Sequence, residues 1–89
     1  MQSKEVTVVN KLGLHARAAA KLVKPASTYD SSVQLVRDTH CVNGKSIMGV
    51  MTLAAAQGAV IAIEANGDDA EAALAALDEL INDRFGEPS

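Results

Sequence analysis

The chain has 89 residues, the size of one small domain, and we treat residues 1–89 as a single unit. A chain of this length forms a compact core with no room for a large internal cofactor cavity. Hydrophobic residues make up 48% and charged residues 21%, which is an ordinary globular composition. The only aromatic residues are Tyr29 and Phe85, which argues against a protein that stacks nucleic-acid bases. The single cysteine, Cys41, excludes an internal disulfide framework and a multi-cysteine zinc site, so we expect neither metal nor cofactor.

The net charge of -3 hides a division between the two halves of the chain. Residues 1–46 carry a balance of +4, and residues 47–89 carry -7. The basic half favours an anionic ligand or an acidic partner, whereas the overall acidity argues against nucleic acid. The longest apolar run has six residues and a bilayer span needs about 20. The first five residues lack the apolar stretch of a signal peptide, so we expect no membrane insertion and a cytoplasmic location.

Apolar periodicity predicts the elements of an α+β fold. In chain order they are a strand at 5–10, a helix from 16 to about 27, strands at 32–37 and 40–43, a short helix at 47–53, a strand at 60–65 and a helix that runs to about 83. This β-α-β-β-α-β-α order predicts two layers, with the helices on one face of a mostly antiparallel sheet. The other face of the sheet is expected to be solvated.

Four local features refine this prediction. Ser46 is placed to cap the short helix, and Asp68 with Glu71 predicts a capping box before the last helix. Pro25 is expected to bend or fray the end of the first helix. We expect Cys41 to be buried in its strand, with the adjacent His40 at the surface.

The segment Gly13-Leu14-His15-Ala16-Arg17 concentrates the chemistry at a junction between a loop and a helix. His15 is expected at or next to the N-cap, where the backbone N–H groups of Ala16 and Arg17 and the helix dipole favour an anion. The guanidinium group of Arg17 suits phosphate oxygens. A histidine there can act as a nucleophile on phosphorus and carry a covalent phosphoryl group.

We prefer this role to that of a general base, because no acidic residue or orienting carboxylate lies within several residues of His15. The spacing alone leaves a second interpretation open, in which His15 is a surface histidine before a helix and Arg17 is a solvated charge.

The octapeptide Asn10-Lys11-Leu12-Gly13-Leu14-His15-Ala16-Arg17 resembles the active-site segment of HPr, the histidine phosphocarrier family of the bacterial phosphoenolpyruvate-dependent phosphotransferase system. Ser46-Ile47-Met48-Gly49-Val50-Met51 resembles the second signature of that family at the expected distance, and the similarity extends over essentially the whole chain. Two departures are Ala18, where the family usually has proline, and Pro25. The start of the octapeptide and the segment 82–87 resemble the nitrogen-related branch of the family, whereas Ser46-Ile47-Met48-Gly49 is shared with members regulated on serine, so the branch stays open.

The resemblance implies an open-faced β-sandwich with sheet order 1-4-2-3 and three helices on one face. It implies that His15 accepts a phosphoryl group on Nδ1 from Enzyme I and passes it to a IIA-type protein or domain, with Arg17 steadying the phosphate. Such a chain is a phosphoryl carrier and a substrate of other proteins rather than a turnover enzyme, and we expect it to be a monomer.

The second signature also implies a regulatory site and a docking surface. In the family the serine that matches Ser46 can be phosphorylated by a dedicated HPr kinase/phosphorylase, although capping alone explains a serine there. The short helix is apolar nearly all round, so part of it is expected to remain exposed for partners. The residues expected to dock partners are Ile47, Met48 and Met51, rimmed by Lys21, Lys24 and Lys45.

Two alternative functions remain. One is a regulatory module that binds a protein partner through Ser46 and the Ile47–Met51 helix without phosphotransfer. The other is a small metabolite-binding domain, for which the sequence offers no enclosed pocket.

Overall fold

The computed structural model describes all 89 residues, and its element order is the predicted β-α-β-β-α-β-α, followed by one short turn. The elements are β1 (Gln2–Thr7), α1 (Ala16–Ala26), β2 (Ser32–Arg37), β3 (His40–Asn43), α2 (Ile47–Thr52), β4 (Val60–Asn66), α3 (Ala70–Asn82) and the C-terminal turn (Arg84–Gly86).

The four strands form one antiparallel sheet in the order β1-β4-β2-β3. The central strand β4 pairs with β1 on one side, where Ala65 lies opposite Gln2, and with β2 on the other, where Ala65 lies opposite Val33. β3 completes the sheet as a hairpin with β2. The α+β fold and the sheet order 1-4-2-3 are therefore confirmed.

The core lies between the helices and one face of the sheet. α3 packs against β1 and β4, α2 packs against β3, and α1 packs against both other helices. Alternate residues of β2 and β4 are buried, as strand geometry requires when one face is covered. The apolar stripe predicted for α3 is buried throughout, and its members are Ala70, Ala73, Leu74, Leu77 and Ile81. None of the helices combines the length and apolar character needed to cross a membrane.

The first strand begins and ends earlier than predicted. The sequence places it at 5–10, whereas β1 spans Gln2–Thr7. The ladder ends there because Val60, the residue opposite the last position of β1, is the first residue of β4. One further backbone hydrogen bond, from Val8 to Ala59, continues the pairing before the chain leaves the sheet. The alternation of valines identifies the buried face but carries no information about where the partner strand begins.

The capping of α2 and α3 shows one correct and one wrong prediction. Ser46 is the N-cap of α2, and its Oγ accepts a 3.1 Å hydrogen bond from the Gly49 backbone N–H. The prediction of a capping box at Asp68 and Glu71 is wrong, because the N-cap of α3 is Asp69 and its carboxylate does not cap the helix. Asp69 instead binds the turn before β2, where it accepts hydrogen bonds from the backbone N–H of Asp30 and from the backbone N–H and hydroxyl of Ser31.

The prediction that Cys41 is buried is also wrong. Cys41 is exposed and its thiol donates a 3.3 Å hydrogen bond to Oε1 of Gln34 on the neighbouring strand. Both side chains lie on the uncovered face of the sheet, and β3 is an edge strand, so no helix covers them. His40 is exposed, as predicted.

The C-terminal turn reverses the direction of the chain after α3. Arg84, Phe85 and Gly86 have φ values of 56°, 54° and 75°, so three consecutive residues adopt the left-handed region. This conformation costs roughly 1–2 kcal/mol for a residue other than glycine. The Phe85 ring offsets that cost, because it is only 1% exposed and belongs to the core. The turn thereby directs the last three residues back toward the start of α1.

Candidate functional site

A loop with one essential glycine carries the chain from the sheet to α1. Gly13 has a φ of +66°, and a Cβ atom at this position would lie 2.5 Å from the carbonyl oxygen of Ala55. The next residue, Leu14, donates a 2.9 Å backbone hydrogen bond to that same carbonyl. The loop is therefore held against the segment that follows α2, and the next residue in the chain is His15.

His15 is the N-cap residue of α1, which confirms its predicted position. Its φ and ψ of -73° and 178° are extended, and its carbonyl accepts the first helical hydrogen bond, 2.8 Å from the Ala19 nitrogen. Its side chain makes no capping hydrogen bond. The N–H groups of Ala16 and Arg17 in the first turn therefore have neither an intrahelical acceptor nor a capping side chain. No acidic residue lies in that turn, so its positive electrostatic potential is not neutralised from within the helix.

The imidazole ring of His15 contacts a carboxylate that sequence reasoning missed. Nε2 of His15 lies 2.5 Å from Oε2 of Glu87, 72 positions further along the chain. The His15 side chain is 28% exposed and that of Glu87 is 10% exposed. The sequence predicts no orienting carboxylate near His15, and this prediction is wrong because Glu87 comes from the opposite end of the chain. The C-terminal turn creates this contact, and no local pattern around Glu87 predicts it.

A buried amide fixes the position of Glu87. Asn10 is fully buried, and its Nδ2 donates one hydrogen bond of 3.0 Å to Oε1 of Glu87 and another of 2.8 Å to the carbonyl of Gly13. The hydrogen bond from His15, followed by that from Asn10, lowers the pKa of Glu87 below its usual value of 4.5. The charges of His15 and Lys21 act in the same direction, and desolvation opposes them. Glu87 is therefore ionised at neutral pH.

An open depression of about 470 Å³ surrounds this histidine. It is lined by Leu12, His15, Ala16, Arg17, Glu87, Pro88 and Ser89. The side chain of Arg17 is exposed at its edge. The structure thus places together the three residues predicted for the phosphate site. No group of three or more histidine, cysteine, aspartate or glutamate side chains in the chain is arranged to hold a metal ion.

The predicted docking residues of α2 are exposed, as expected. Met48 is 75% exposed, and Ile47 and Met51 are about half as accessible, whereas Val50 on the other face is buried. Leu12, at the edge of the depression, is 67% exposed. Ile47, Met48 and Met51 lie together on one short helix, and apolar side chains that are exposed as a group are typical of a surface that binds other proteins.

The three predicted docking lysines differ in whether their ammonium groups make hydrogen bonds within the chain. Nζ of Lys21 donates to the carbonyl of Phe85, and Nζ of Lys45 donates to the carbonyl of Tyr29, each at 2.8 Å. Lys24 is exposed. Two of the three ammonium groups therefore have an intramolecular role that sequence spacing did not indicate.

Comparison with known proteins agrees with this arrangement. The family model described as "PTS HPr component phosphorylation site" matches residues 2–83. The chain is 53% identical over 87 residues to the phosphocarrier protein HPr of Xylella fastidiosa and 49% identical over 87 residues to that of Neisseria meningitidis, with 98% of each chain covered.

Solved structures show the same fold. HPr-C-His from Thermoanaerobacter tengcongensis superimposes with a TM-score of 0.96 at 45% identity, covering 100% of both chains. The phosphocarrier protein HPr of Bacillus anthracis gives 0.84 at 44% identity, covering 88% of this chain and 93% of that one. Together with the match over residues 2–83, these similarities show that the chain belongs to the HPr family of phosphocarrier proteins of the phosphotransferase system.

Proposed function

We propose that this chain accepts a phosphoryl group on Nδ1 of His15 from phosphorylated Enzyme I and passes it to a IIA-type protein or domain. The observation that carries the proposal is the position of His15 at the N-cap of α1, with its side chain free of any capping bond. The unpaired N–H groups of Ala16 and Arg17 are then available to phosphoryl oxygens, and Arg17 adds a positive charge.

The transfer requires a nucleophile and a group that stabilises the negative charge of the phosphoryl oxygens. The lone pair on Nδ1 forms a bond to phosphorus while the bond between phosphorus and the donor nitrogen or oxygen breaks, and that electron pair stays with the donor. Transfer to the acceptor repeats these events in the opposite direction. The positive end of α1 favours the phosphoryl oxygens throughout. The chain ends each cycle unchanged as a carrier, and it relies on its partners for turnover.

The second histidine, His40, allows a direct test. The chain is incubated with Enzyme I and radiolabelled phosphoenolpyruvate, and the adduct is tested for lability in acid and stability in base. His15→Ala is expected to abolish labelling, whereas His40→Ala, which removes an exposed histidine on β3, is expected to retain it. Absence of labelling in the unmodified chain, or labelling that persists in His15→Ala, rules out the proposal.

The exposed face of α2 is proposed as the docking surface for both partners. Met48→Glu is expected to weaken binding of the phosphoryl donor by about tenfold, because truncating or charging an anchor side chain typically costs more than 1 kcal/mol. Val60→Glu is the matched control, since Val60 is 54% exposed but lies at the start of β4. Equal effects of the two substitutions would indicate a general effect of negative charge, and the docking proposal would then be withdrawn.

Regulation at Ser46 is a further part of the proposal. Ser46 is half-buried at the start of α2, next to the exposed Ile47 and Met48, so a phosphate there adds negative charge beside the docking surface. Ser46→Asp preserves a capping oxygen and adds charge, and it is expected to slow phosphoryl transfer. Ser46→Ala removes the cap without adding charge and is expected to leave transfer unchanged. Equal transfer rates in the two variants would contradict regulation by charge.

The proposal also places the chain in the cytoplasm as a monomer. The competing function is a binding module that acts through Ser46 and α2 without phosphotransfer. It predicts a partner whose capture depends on phosphorylation of Ser46 and is the same in His15→Ala. Absence of labelling in the unmodified chain together with such capture would favour the binding module.

A further inference from the structure

The contact between Glu87 and His15 assigns a chemical role to the C-terminal tail. We propose that Glu87 is a positioning residue for phosphoryl transfer: its carboxylate keeps the ring hydrogen of His15 on Nε2 and so makes Nδ1 the nucleophile. The proposal rests on the proposed function in one respect, that His15 is the phosphoryl acceptor.

The tautomer follows from the contact itself. A neutral imidazole carries a hydrogen on one nitrogen and a lone pair on the other, and an ionised carboxylate can only accept hydrogen bonds. A distance of 2.5 Å between Nε2 of His15 and Oε2 of Glu87 therefore requires a hydrogen on Nε2. The lone pair then belongs to Nδ1. Without Glu87 both tautomers are accessible, and only one of them leaves Nδ1 free to attack.

Glu87 can hold the ring in place because two hydrogen bonds fix its position, one to its own carboxylate and one to the nearby backbone of the C-terminal turn. Its Oε1 accepts the 3.0 Å hydrogen bond from the buried Asn10, which also holds the Gly13 carbonyl two residues before His15. On the other side, the carbonyl of Phe85 accepts a hydrogen bond from Lys21 of α1. The carboxylate is thus connected to the loop that precedes the nucleophile and to the helix that follows it.

The same carboxylate stabilises the charge that transfer creates. When Nδ1 forms its bond to phosphorus and the donor keeps the electron pair of the broken bond, the ring retains the hydrogen on Nε2 and becomes positively charged. Glu87 lies against that nitrogen with only a tenth of its side chain exposed, so solvent screens the attraction weakly. A carboxylate that orients a histidine and stabilises its cationic form acts in this way in hydrolases as well, without taking the proton.

The first measurement is the tautomer, which does not depend on activity. Nitrogen NMR spectra of the full-length chain are recorded at about pH 9, where a histidine ring is ordinarily neutral. The unmodified chain is expected to carry its hydrogen on Nε2 of His15. Glu87→Gln has one acceptor oxygen where glutamate has two, and the Asn10 amide donor requires that oxygen, so the NH2 group of the glutamine faces Nε2. Both Glu87→Gln and Glu87→Ala are therefore expected to lose the single tautomer. Glu5→Gln, which removes one exposed carboxylate on β1, is the control for charge and is expected to leave the spectrum unchanged.

The second measurement is the rate of a single phosphoryl transfer from phosphorylated Enzyme I. Glu87→Ala and Glu87→Gln are each expected to reduce the rate constant by about tenfold or more, and Glu5→Gln not at all. An unchanged tautomer and an unchanged rate in Glu87→Ala would overturn the inference while leaving His15 as the acceptor. A rate loss in Glu5→Gln equal to that in Glu87→Gln would overturn it too. Failure of the proposed function is distinct, because the unmodified chain would then take up no phosphoryl group.

Discussion

The ammonium group of Lys21 donates a 2.8 Å hydrogen bond to the backbone carbonyl of Phe85 and thereby ties the middle of α1 to the C-terminal turn. Lys21 is half-buried as a result, and its charge also contributes to lowering the pKa of Glu87. The two lysines of α1 therefore differ, because Lys21 holds the C-terminal turn in place and Lys24 is exposed to solvent.

This difference predicts unequal stability effects along one helix. Lys21→Met keeps the aliphatic stem but leaves the Phe85 carbonyl without its donor, and it is expected to lower the free energy of unfolding by about 1 kcal/mol. Lys24→Met, on the exposed face, is expected to change it by less than about 0.5 kcal/mol. Urea denaturation of both variants provides the measurement. Two equal values would show that the hydrogen bond of Lys21 contributes nothing.

Local patterns predicted the position of His15 but not its surroundings. The apolar stripe of α3 has helical period, and the N-cap position of His15 follows from a glycine-containing loop that runs into a periodic helix, so both can be derived from a few consecutive residues. The contact between His15 and Glu87 joins opposite ends of the chain. It depends on a left-handed turn that includes Phe85, and a phenylalanine gives no signal for that conformation.

The wrong capping prediction for α3 also arises from a contact between residues distant in sequence, because Asp69 binds the turn before β2. This contact leads to a prediction about pH. Three hydrogen bonds, led by that from the Ser31 hydroxyl, lower the pKa of Asp69 below its usual value of 3.8. Since the folded pKa is depressed, the ionised form stabilises the fold above the unfolded value. That contribution is lost as the pH falls through the folded value. Asp69→Asn is therefore expected to be less stable than the unmodified chain at neutral pH, with the difference shrinking as the pH drops below about 3.8.

Urea denaturation from about pH 7 to about pH 2 measures this dependence. The neighbouring Asp68→Asn, at an exposed position, is the control and is expected to show a much smaller difference from the unmodified chain over the same range. A deficit in Asp69→Asn that stays constant across the range would mean that hydrogen bonding to the ionised carboxylate is not its source.

The close approach of the loop before His15 to the Ala55 backbone predicts that alanine is more destabilising at Gly13 than at Gly58. Gly13 and Gly58 both have positive φ, but a Cβ at Gly13 would meet the Ala55 carbonyl at 2.5 Å, whereas nothing lies within 4 Å at Gly58. Gly58→Ala is expected to cost only the strain of the left-handed conformation, about 1–2 kcal/mol. Gly13→Ala adds a steric clash with the backbone, so its loss is expected to be larger by about 1 kcal/mol or more. Thermal or urea unfolding distinguishes them, and equal losses would contradict a close backbone approach at Gly13.

Phe85 gives the final prediction, because it anchors the turn that brings the tail to His15. Its ring is 1% exposed, so Phe85→Ala is expected to lower the free energy of unfolding by about 3–5 kcal/mol. Phe85→Leu fills most of the same volume, and its expected cost is below about 1.5 kcal/mol. The two variants also differ in the tail itself. The Glu87 N–H, which donates to the Arg84 carbonyl at 2.9 Å, is expected to exchange with solvent faster in Phe85→Ala than in Phe85→Leu. If the amide exchanged equally fast in both variants while their stabilities differed, the tail would be held by Lys21 and Asn10 alone.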